Sequence, residues 1–235
     1  MAEQTLPQCL GFIMDGNRRW ATDQGLPTYE GHKQGGEVLR TCMEWVREAG
    51  IPHAVFYAFS TENWDRPEAE VAYLMDLFRE WLTEINDKIH GEGVPDHERI
   101  KVRVVGRRAD FAPDIVHQIN RLEAKSLKYT TATTTIWIAL SYGGRAEIVA
   151  AVNQAITNGE PVDEASFEAL LQTADMPDPD LIVRTSGEQR LSNFMTWKSV
   201  YSELYFIKKH WPALTQDDFN DILDEYGRRT RRNGK

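Results

Sequence analysis

Residues 10–21 read LGFIMDGNRRWA, and the change of character inside that stretch decides the fold. Residues 10–14 are a short apolar run of the kind that forms a strand. They give way at once to a polar string, Asp15-Gly16-Asn17-Arg18-Arg19-Trp20. Working outward, the same alternation recurs along the chain. Residues 32–48 carry Val38, Leu39, Cys42, Trp45 and Val46 on one helical face, and residues 53–59 form a second strand. Pro67 opens a helix with Val71, Leu74, Met75, Phe78, Trp81, Leu82 and Ile85 at helical spacing. Strands follow at 100–105, 133–140 and 181–184, with a sixth at 203–206; helices are predicted at 112–129, 144–157, 164–174 and 215–230. Strand–helix alternation implies right-handed crossovers. The predicted fold is an α/β domain whose central, mostly parallel sheet of about six strands is flanked by helices. Residues 91–98 read as a loop, and the whole chain, residues 1–235, reads as one domain ending in a basic tail at about 228–235.

Composition narrows the function. There are 36 acidic and 27 basic side chains, a net charge of −9, which gives no general attraction to nucleic acid. Arginines nevertheless cluster at Arg18-Arg19, Arg107-Arg108, Arg184 with Arg190, and residues 228–232, a pattern that suits a small anionic ligand. Two cysteines cannot make a disulfide framework. No apolar run approaches the roughly 18 residues of a membrane span and no signal peptide is evident, so a cytoplasmic protein is expected.

In an open parallel sheet, ligands bind beyond the carboxyl ends of the strands. Three strands here run into polar loops that this topology brings to one edge: residues 15–20, residues 60–67 (STENWDRP) and residues 184–193 (RTSGEQRLSN). In the first loop Gly16 allows close approach of a ligand to the backbone, and Arg19 can bond a phosphate. Asp15 beside such a cradle fits a Mg²⁺ ion bridging carboxylate and phosphate oxygens; a plain Asx-type turn fits it too. In the third loop Arg184, Arg190 and Ser192 suit a second phosphate, or a solvated loop salt-bridged to Glu188. The second loop offers hydroxyl, amide and carboxylate groups beside Trp64. His32 heads a helix, where it serves either an anion or the packing. The string Asp217-Asp218-Phe219-Asn220-Asp221 has a DDxxD form, but an acidic helix start explains it better.

At these loops the chain resembles the cis-prenyltransferase family. The matching strings are MDGNRRWA (residues 14–21), GHKQGG (31–36), FYAFSTENWDRPEAEV (56–71), SYGGRAEI (141–148), and DPDLIVRTSGEQRLSNFMTW with YSELYF within 178–206. The resemblance implies an α/β enzyme that condenses isopentenyl diphosphate with an allylic diphosphate, farnesyl diphosphate by expectation, making cis double bonds and releasing pyrophosphate. It implies Mg²⁺ as cofactor, a homodimer, and peripheral membrane contact through the lipid product. Residue by residue, Asp15 matches the essential aspartate that handles the metal and the allylic diphosphate. Gly16, Asn17, Arg18 and Arg19, followed by Trp20, match the diphosphate cradle, with His32 as a further contact. Ser60 and Asn63 match the polar pair near the proton that isopentenyl diphosphate loses. Thr61, Glu62, Trp64, Arg66 and Glu70 fall on or beside the family's flap. Arg184, Arg190, Leu191 and Ser192 match the isopentenyl diphosphate site, and Glu203 a metal-linked carboxylate near the dimer interface. Arg232-Asn233-Gly234 is similar to a C-terminal motif that reaches a phosphate across the dimer.

Four positions depart from the family pattern: Cys9, Arg107, Ser141, and Thr28, which stands where an arginine commonly supports the allylic diphosphate. The expectation drawn from Thr28 is that Arg107 or Arg108 replaces the missing charge. A competing expectation for the whole chain is a non-catalytic accessory subunit; such subunits lack the aspartate and flap residues, whereas Asp15, Asn63, Arg184 and Arg190 are all present.

Overall fold

The structure, a computed structural model, describes residues 5–88 and 99–229. The loop expected at 91–98 and the motif at Arg232-Asn233-Gly234 lie outside those residues. Six strands, β1 (Cys9–Ile13), β2 (His53–Ser60), β3 (Ile100–Val105), β4 (Thr134–Tyr142), β5 (Leu181–Arg184) and β6 (Glu203–Phe206), form one sheet in the order β3-β4-β2-β1-β5-β6. Every pairing is parallel. Among the described residues the helices are α1 (Asn17–Asp23), α2 (Thr28–Glu48), α3 (Glu68–Lys88), α4 (Pro113–Ser126), α5 (Gly144–Asn158), α6 (Glu164–Glu168) and α7 (Gln216–Arg228). None is long and apolar enough to cross a membrane.

The strands are apolar because helices cover both faces. All five residues of β1 are buried, and Phe12 stacks on Phe56 of β2 at 5.0 Å, with Trp211 tilted against both rings. On the opposite face Ile13, Val55, Ile182, Phe194 and Met195 form a second buried cluster.

Element bounds differ from the sequence reading where local chemistry overrides periodicity. Residues 17–23, expected as loop, form α1: Gly16 at φ 105° turns the chain from β1 straight into a helix that has too few apolar residues to signal itself. Helix α2 begins at Thr28 rather than residue 32 because Pro27 precedes it and cannot continue a helix backwards. Helix α6 stops at Glu168 instead of continuing to residue 174. The acidic string at 217–221 is a helix start. The Thr215 N–H donates to Asp218 Oδ2 at 2.8 Å, and Lys209 bonds the same carboxylate at 2.5 Å.

Candidate active site

Asp15 follows β1 at the carboxyl edge of the sheet, and its backbone is clamped from two sides. The Thr185 hydroxyl donates to the Asp15 carbonyl at 2.6 Å and accepts the Asp15 N–H at 2.9 Å. The Trp211 N–H donates to the same carbonyl at 3.0 Å. The carboxylate is held between two guanidiniums, Arg184 at 2.9 Å on Oδ2 and Arg19 at 3.1 Å on Oδ1. Burial pushes the Asp15 carboxyl up, but Arg184 and then Arg19 outweigh it and hold it below its ordinary value. Arg184 is itself buried; it donates to Ser192 Oγ at 2.7 Å and to the Arg190 carbonyl, and its Nε has no partner.

Two clefts meet at this carboxylate. One, of about 490 Å³, is lined by Asp15, Asn17, His32, Tyr57, Ser60, Glu62, Asn63, Arg66, Arg184, Ser192 and Asn193, with Leu74, Ile13 and Met14 among its apolar residues. The other, of about 530 Å³, is lined by Asp15, Gly16, Asn17, Arg18, Arg19, Thr22, Asp23, Thr28, His32 and Arg66. Met14, Asp15, Asn17, His32 and Arg66 belong to both.

The walls are charged and unevenly satisfied. Glu70, in the first turn of α3, reaches Arg66 at 3.1 Å, His32 Nε2 at 3.5 Å and Arg18 at 3.8 Å. Burial, and next the Arg66 cation, push the His32 pKa down against the pull of Glu70, so the ring is neutral near pH 7. His32 Nε2 and Asn17 Oδ1 are buried without a hydrogen-bond partner. Buried polar atoms left in that state are expensive unless something else bonds them. The Ser60 N–H donates to Asn63 Oδ1 at 3.1 Å, so the amide oxygen is committed to the chain. In the loop after β5, Ser186, Ser192, Asn193 and Met195 all have positive φ, between 46° and 75°. Non-glycine residues pay strain for that conformation, and such strain concentrates at functional sites.

The structure therefore brings Asp15, Gly16, Asn17, Arg18, Arg19, Thr28, His32, Ser60, Glu62, Asn63, Arg66, Arg184 and Ser192 to the clefts. Trp20, Thr61, Trp64, Arg190 and Leu191 do not line them. Trp64 is an anchor: its ring packs on Phe59 at 4.9 Å and Phe111 at 5.5 Å, and Nε1 donates to Ser141 Oγ at 2.9 Å. The Arg190 guanidinium faces solvent and pairs with Glu188 at 2.5 Å, so its carbonyl rather than its charge touches Arg184. Glu203, expected near a dimer interface, lies away from the clefts of its own chain. It opens β6 beside Leu181, whereas Asp15 follows Ile13, which is in register with Arg184. The two carboxylates thus sit at opposite ends of strands that flank β5, and within one chain they do not meet; Glu203 bonds Arg229 at 3.1 Å instead. Arg107 and Arg108, expected to replace the charge missing at Thr28, line neither cleft. They follow β3 at the far edge of the sheet, Arg107 paired with Asp110 and Arg108 with Glu123 and Asn120. Arg18 shares the cleft with Thr28 and is the nearer source of charge.

Sequence reasoning missed Thr185, Tyr57 and Asn193. Thr185 had a signal, since it follows Arg184 directly at the strand end. Asn193 bridges loops, donating to Glu62 Oε1 at 2.7 Å and accepting the Arg145 N–H at 2.8 Å, a role that only the fold reveals.

Below the clefts lies an apolar seam between α2 and α3. A hollow of about 40 Å³ there is lined by Leu39, Ala58, Leu74, Phe78, Trp81 and Trp211 among others. A second hollow of about 20 Å³, which shares Leu39 and Trp81 with the first, is also lined by Gly36, Arg40, Met43 and Ile85. A Cβ on Gly36 would lie 1.7 Å from the Trp81 ring, so glycine is what admits that ring between the helices.

Residues 13–234 match the family model for undecaprenyl diphosphate synthase. The chain is similar to an isoprenyl transferase of Thermotoga maritima, 42% identical over 97% of each chain. It is also similar to one of Aquifex pyrophilus, 39% identical over 98% of this chain and 96% of the relative. Among solved structures, lavandulyl diphosphate synthase of Lavandula x intermedia, in complex with dimethylallyl diphosphate, superposes with a TM-score of 0.89. It is 29% identical, over 98% of this chain and 99% of that one. A probable undecaprenyl diphosphate synthase from Campylobacter jejuni gives a TM-score of 0.80 at 29% identity, over 98% and 100%.

Proposed function

We propose, from the premise that this chain belongs to the undecaprenyl diphosphate synthase family of prenyltransferases and is a transferase, that it condenses isopentenyl diphosphate with an allylic diphosphate. The product is a polyprenyl diphosphate with a new cis double bond, and pyrophosphate is released. The observation that carries this reading is the meeting of two cation-lined clefts at one carboxylate, Asp15. One holds each diphosphate: the allylic substrate by Arg18, Arg19 and Asn17, isopentenyl diphosphate by Arg184 and Ser192. The lavandulyl relative's complex with dimethylallyl diphosphate supports the allylic half.

The reaction breaks the allylic C1–O bond, joins C1 to the terminal carbon of isopentenyl diphosphate, and removes a proton from that substrate's C2. Negative charge grows on the departing phosphate oxygens, and pre-aimed guanidinium donors stabilise it without reorganising. The alkene is a weak nucleophile, so alignment of the two substrates contributes more than base strength. Asn63, a neutral amide whose oxygen already accepts the Ser60 N–H, orients a diphosphate oxygen that takes the proton. Among the described residues no three His, Cys, Asp or Glu side chains form a metal cluster. Asp15, the one carboxylate among the described residues that lines both clefts, would hold Mg²⁺ together with substrate phosphates. Bound there it supplies Lewis-acid neutralisation of the leaving diphosphate.

The tail enters the seam below the clefts, where Phe78 and Trp81 stand in its path. Apolar side chains stand exposed on α5 (Val149, Val152 and Ile156) and around β6 (Val200, Tyr201 and Leu204). They support a homodimer, in which Glu203 acts at the partner's edge. The enzyme works in the cytoplasm, touching membrane through its lipid product. The test is purified protein with labelled isopentenyl diphosphate, an allylic primer and Mg²⁺, products extracted and sized, beside Asp15→Ala and EDTA controls. Prenyl product lost in both controls is expected. No product from the wild type with farnesyl, geranyl or dimethylallyl primers would mark it instead as an accessory subunit.

A further inference from the structure

Behind Gly16 lies a chain of three polar side chains that the proposed reaction does not use. His210 Nδ1 is 2.7 Å from Ser186 Oγ, and its Nε2 is 3.2 Å from Asp23 Oδ2. A neutral ring protonated on Nε2 satisfies both contacts, accepting the serine hydroxyl and donating to the carboxylate. The order serine–histidine–aspartate is that of a nucleophilic triad. The surroundings exclude such use, because Ser186 is buried and lines neither cleft. What covers it is the turn at Gly16: a Cβ there would lie 2.6 Å from His210 Nδ1 and 2.8 Å from Ser186 Oγ.

The three residues come from three elements. Asp23 ends α1, Ser186 lies in the loop after β5, and His210 precedes the turn Trp211–Ala213. The backbone ties of these segments converge on the same point. The Ser186 N–H donates to the Lys209 carbonyl at 2.8 Å, the Trp211 N–H donates to the Asp15 carbonyl at 3.0 Å, and the Arg19 guanidinium reaches the Ser186 carbonyl at 3.4 Å. Helix α1 has only seven residues and no capping side chain at its start. A helix that short has little stability of its own and keeps its direction through tertiary ties.

We infer that His210 is a positioning residue: by joining Asp23 to Ser186 beneath Gly16, it fixes α1, with Asn17, Arg18 and Arg19, relative to Asp15, and so sets affinity for the diphosphate taken by the α1 cleft. Assigning that diphosphate to the allylic substrate rests on the prenyl-transfer reading; the brace itself does not.

The test compares wild type with His210→Phe, His210→Asn, Asp23→Ala and the Asp23→Ala/His210→Phe pair. Three quantities are read: amide hydrogen exchange of residues 17–23, calorimetric binding of inorganic pyrophosphate, and KM for each diphosphate substrate. His210→Phe is expected to speed exchange in α1 and to raise the allylic KM by about tenfold, the scale of a lost buried hydrogen bond. The isopentenyl KM should stay within about twofold of wild type, since its groups lie outside the brace. His210→Asn, which keeps a partner for Ser186, should restore part of the loss, and the double variant should be no worse than His210→Phe. Unchanged exchange in α1 together with unchanged pyrophosphate binding overturns the inference. Equal rises in both KM values with a parallel fall in Tm also overturn it, since that is general destabilisation. If wild type transfers no prenyl group, the exchange and pyrophosphate arms still decide the brace, while the functional reading fails separately.

Discussion

The polar edge of the sheet and the apolar seam beneath it differ in how they are built. At the edge, two segments far apart in sequence, residues 15–19 and the end of β5, place Arg19, Asp15 and Arg184 in one line of ion pairs, 3.1 and 2.9 Å apart, with little latitude. In the seam, two helices touch through Gly36, Trp81, Leu39 and Phe78, and what is controlled is volume. A cluster of ion pairs answers to the identity of each group, because removing one strands the others; an apolar contact answers to size. The edge should therefore govern whether the reaction occurs and the seam how long its product becomes.

Replacing a group at the edge is the most severe way to break that division. Asp15→Ala should lower kcat/KM by ~10³-fold or more, the scale on which pre-aimed charge stabilisation is lost. Products that do form should keep the wild-type length, as steady-state assays with sized products would record. A substitution in the seam should do the reverse. Trp81→Ala joins the two hollows, so the longest product should gain at least one five-carbon unit while kcat changes by less than about tenfold; the cavity itself costs about 3 kcal/mol of stability. Loss of turnover with no change in length would break the comparison.

A smaller effect sharpens the description of the edge. Burial raises the Asp15 pKa, but Arg184 and Arg19 lower it further, so its folded value is depressed. A depressed carboxylate stabilises the fold above its unfolded pKa, about 3.9, and that contribution disappears as pH falls through the folded value. Asp15→Asn should thus reduce stability at neutral pH and flatten its decline in acid, which urea titrations at pH 7 and in the acid range would reveal. The smallest effect is expected from Arg107→Gln with Arg108→Gln. With those side chains engaged by Asp110, Glu123 and Asn120, the allylic KM should stay within about twofold of wild type. A large rise would restore them as the substitute for Thr28.

The two regions also differ in how far the sequence discloses them. Apolar runs alternating with helical spacing specify the sheet, and polar strings at strand ends specify the edge, because parallel topology leaves them nowhere else to converge. Asp15, Arg19 and Arg184 are legible for that reason, and Asn63 through the family resemblance. Trp64 and Arg190 were not, since their loop positions do not say which way a side chain turns: Trp64 packs inward on Phe59 and Arg190 outward to Glu188. Glu203 could be placed only once strand register was known. Helix α1 was missed because its signal is a single positive-φ glycine rather than a periodic pattern. In the seam, the helical spacing of Leu74, Phe78 and Trp81 predicts that they share one apolar face. That Trp81 divides the seam depends on its contact with Gly36, which lies on another helix and carries no hydrophobic signal at all.

Asp15 joins the two cation-lined clefts, and Trp81 lines the apolar space below them. One assay tests this division of roles most directly: labelled isopentenyl diphosphate with an allylic primer and Mg²⁺, run on wild type, Asp15→Ala and Trp81→Ala, with product amount and chain length read together. Wild type is expected to give a polyprenyl product, Asp15→Ala almost none, and Trp81→Ala a longer product at comparable yield. Undiminished product from Asp15→Ala, or an unchanged length from an active Trp81→Ala, would contradict it.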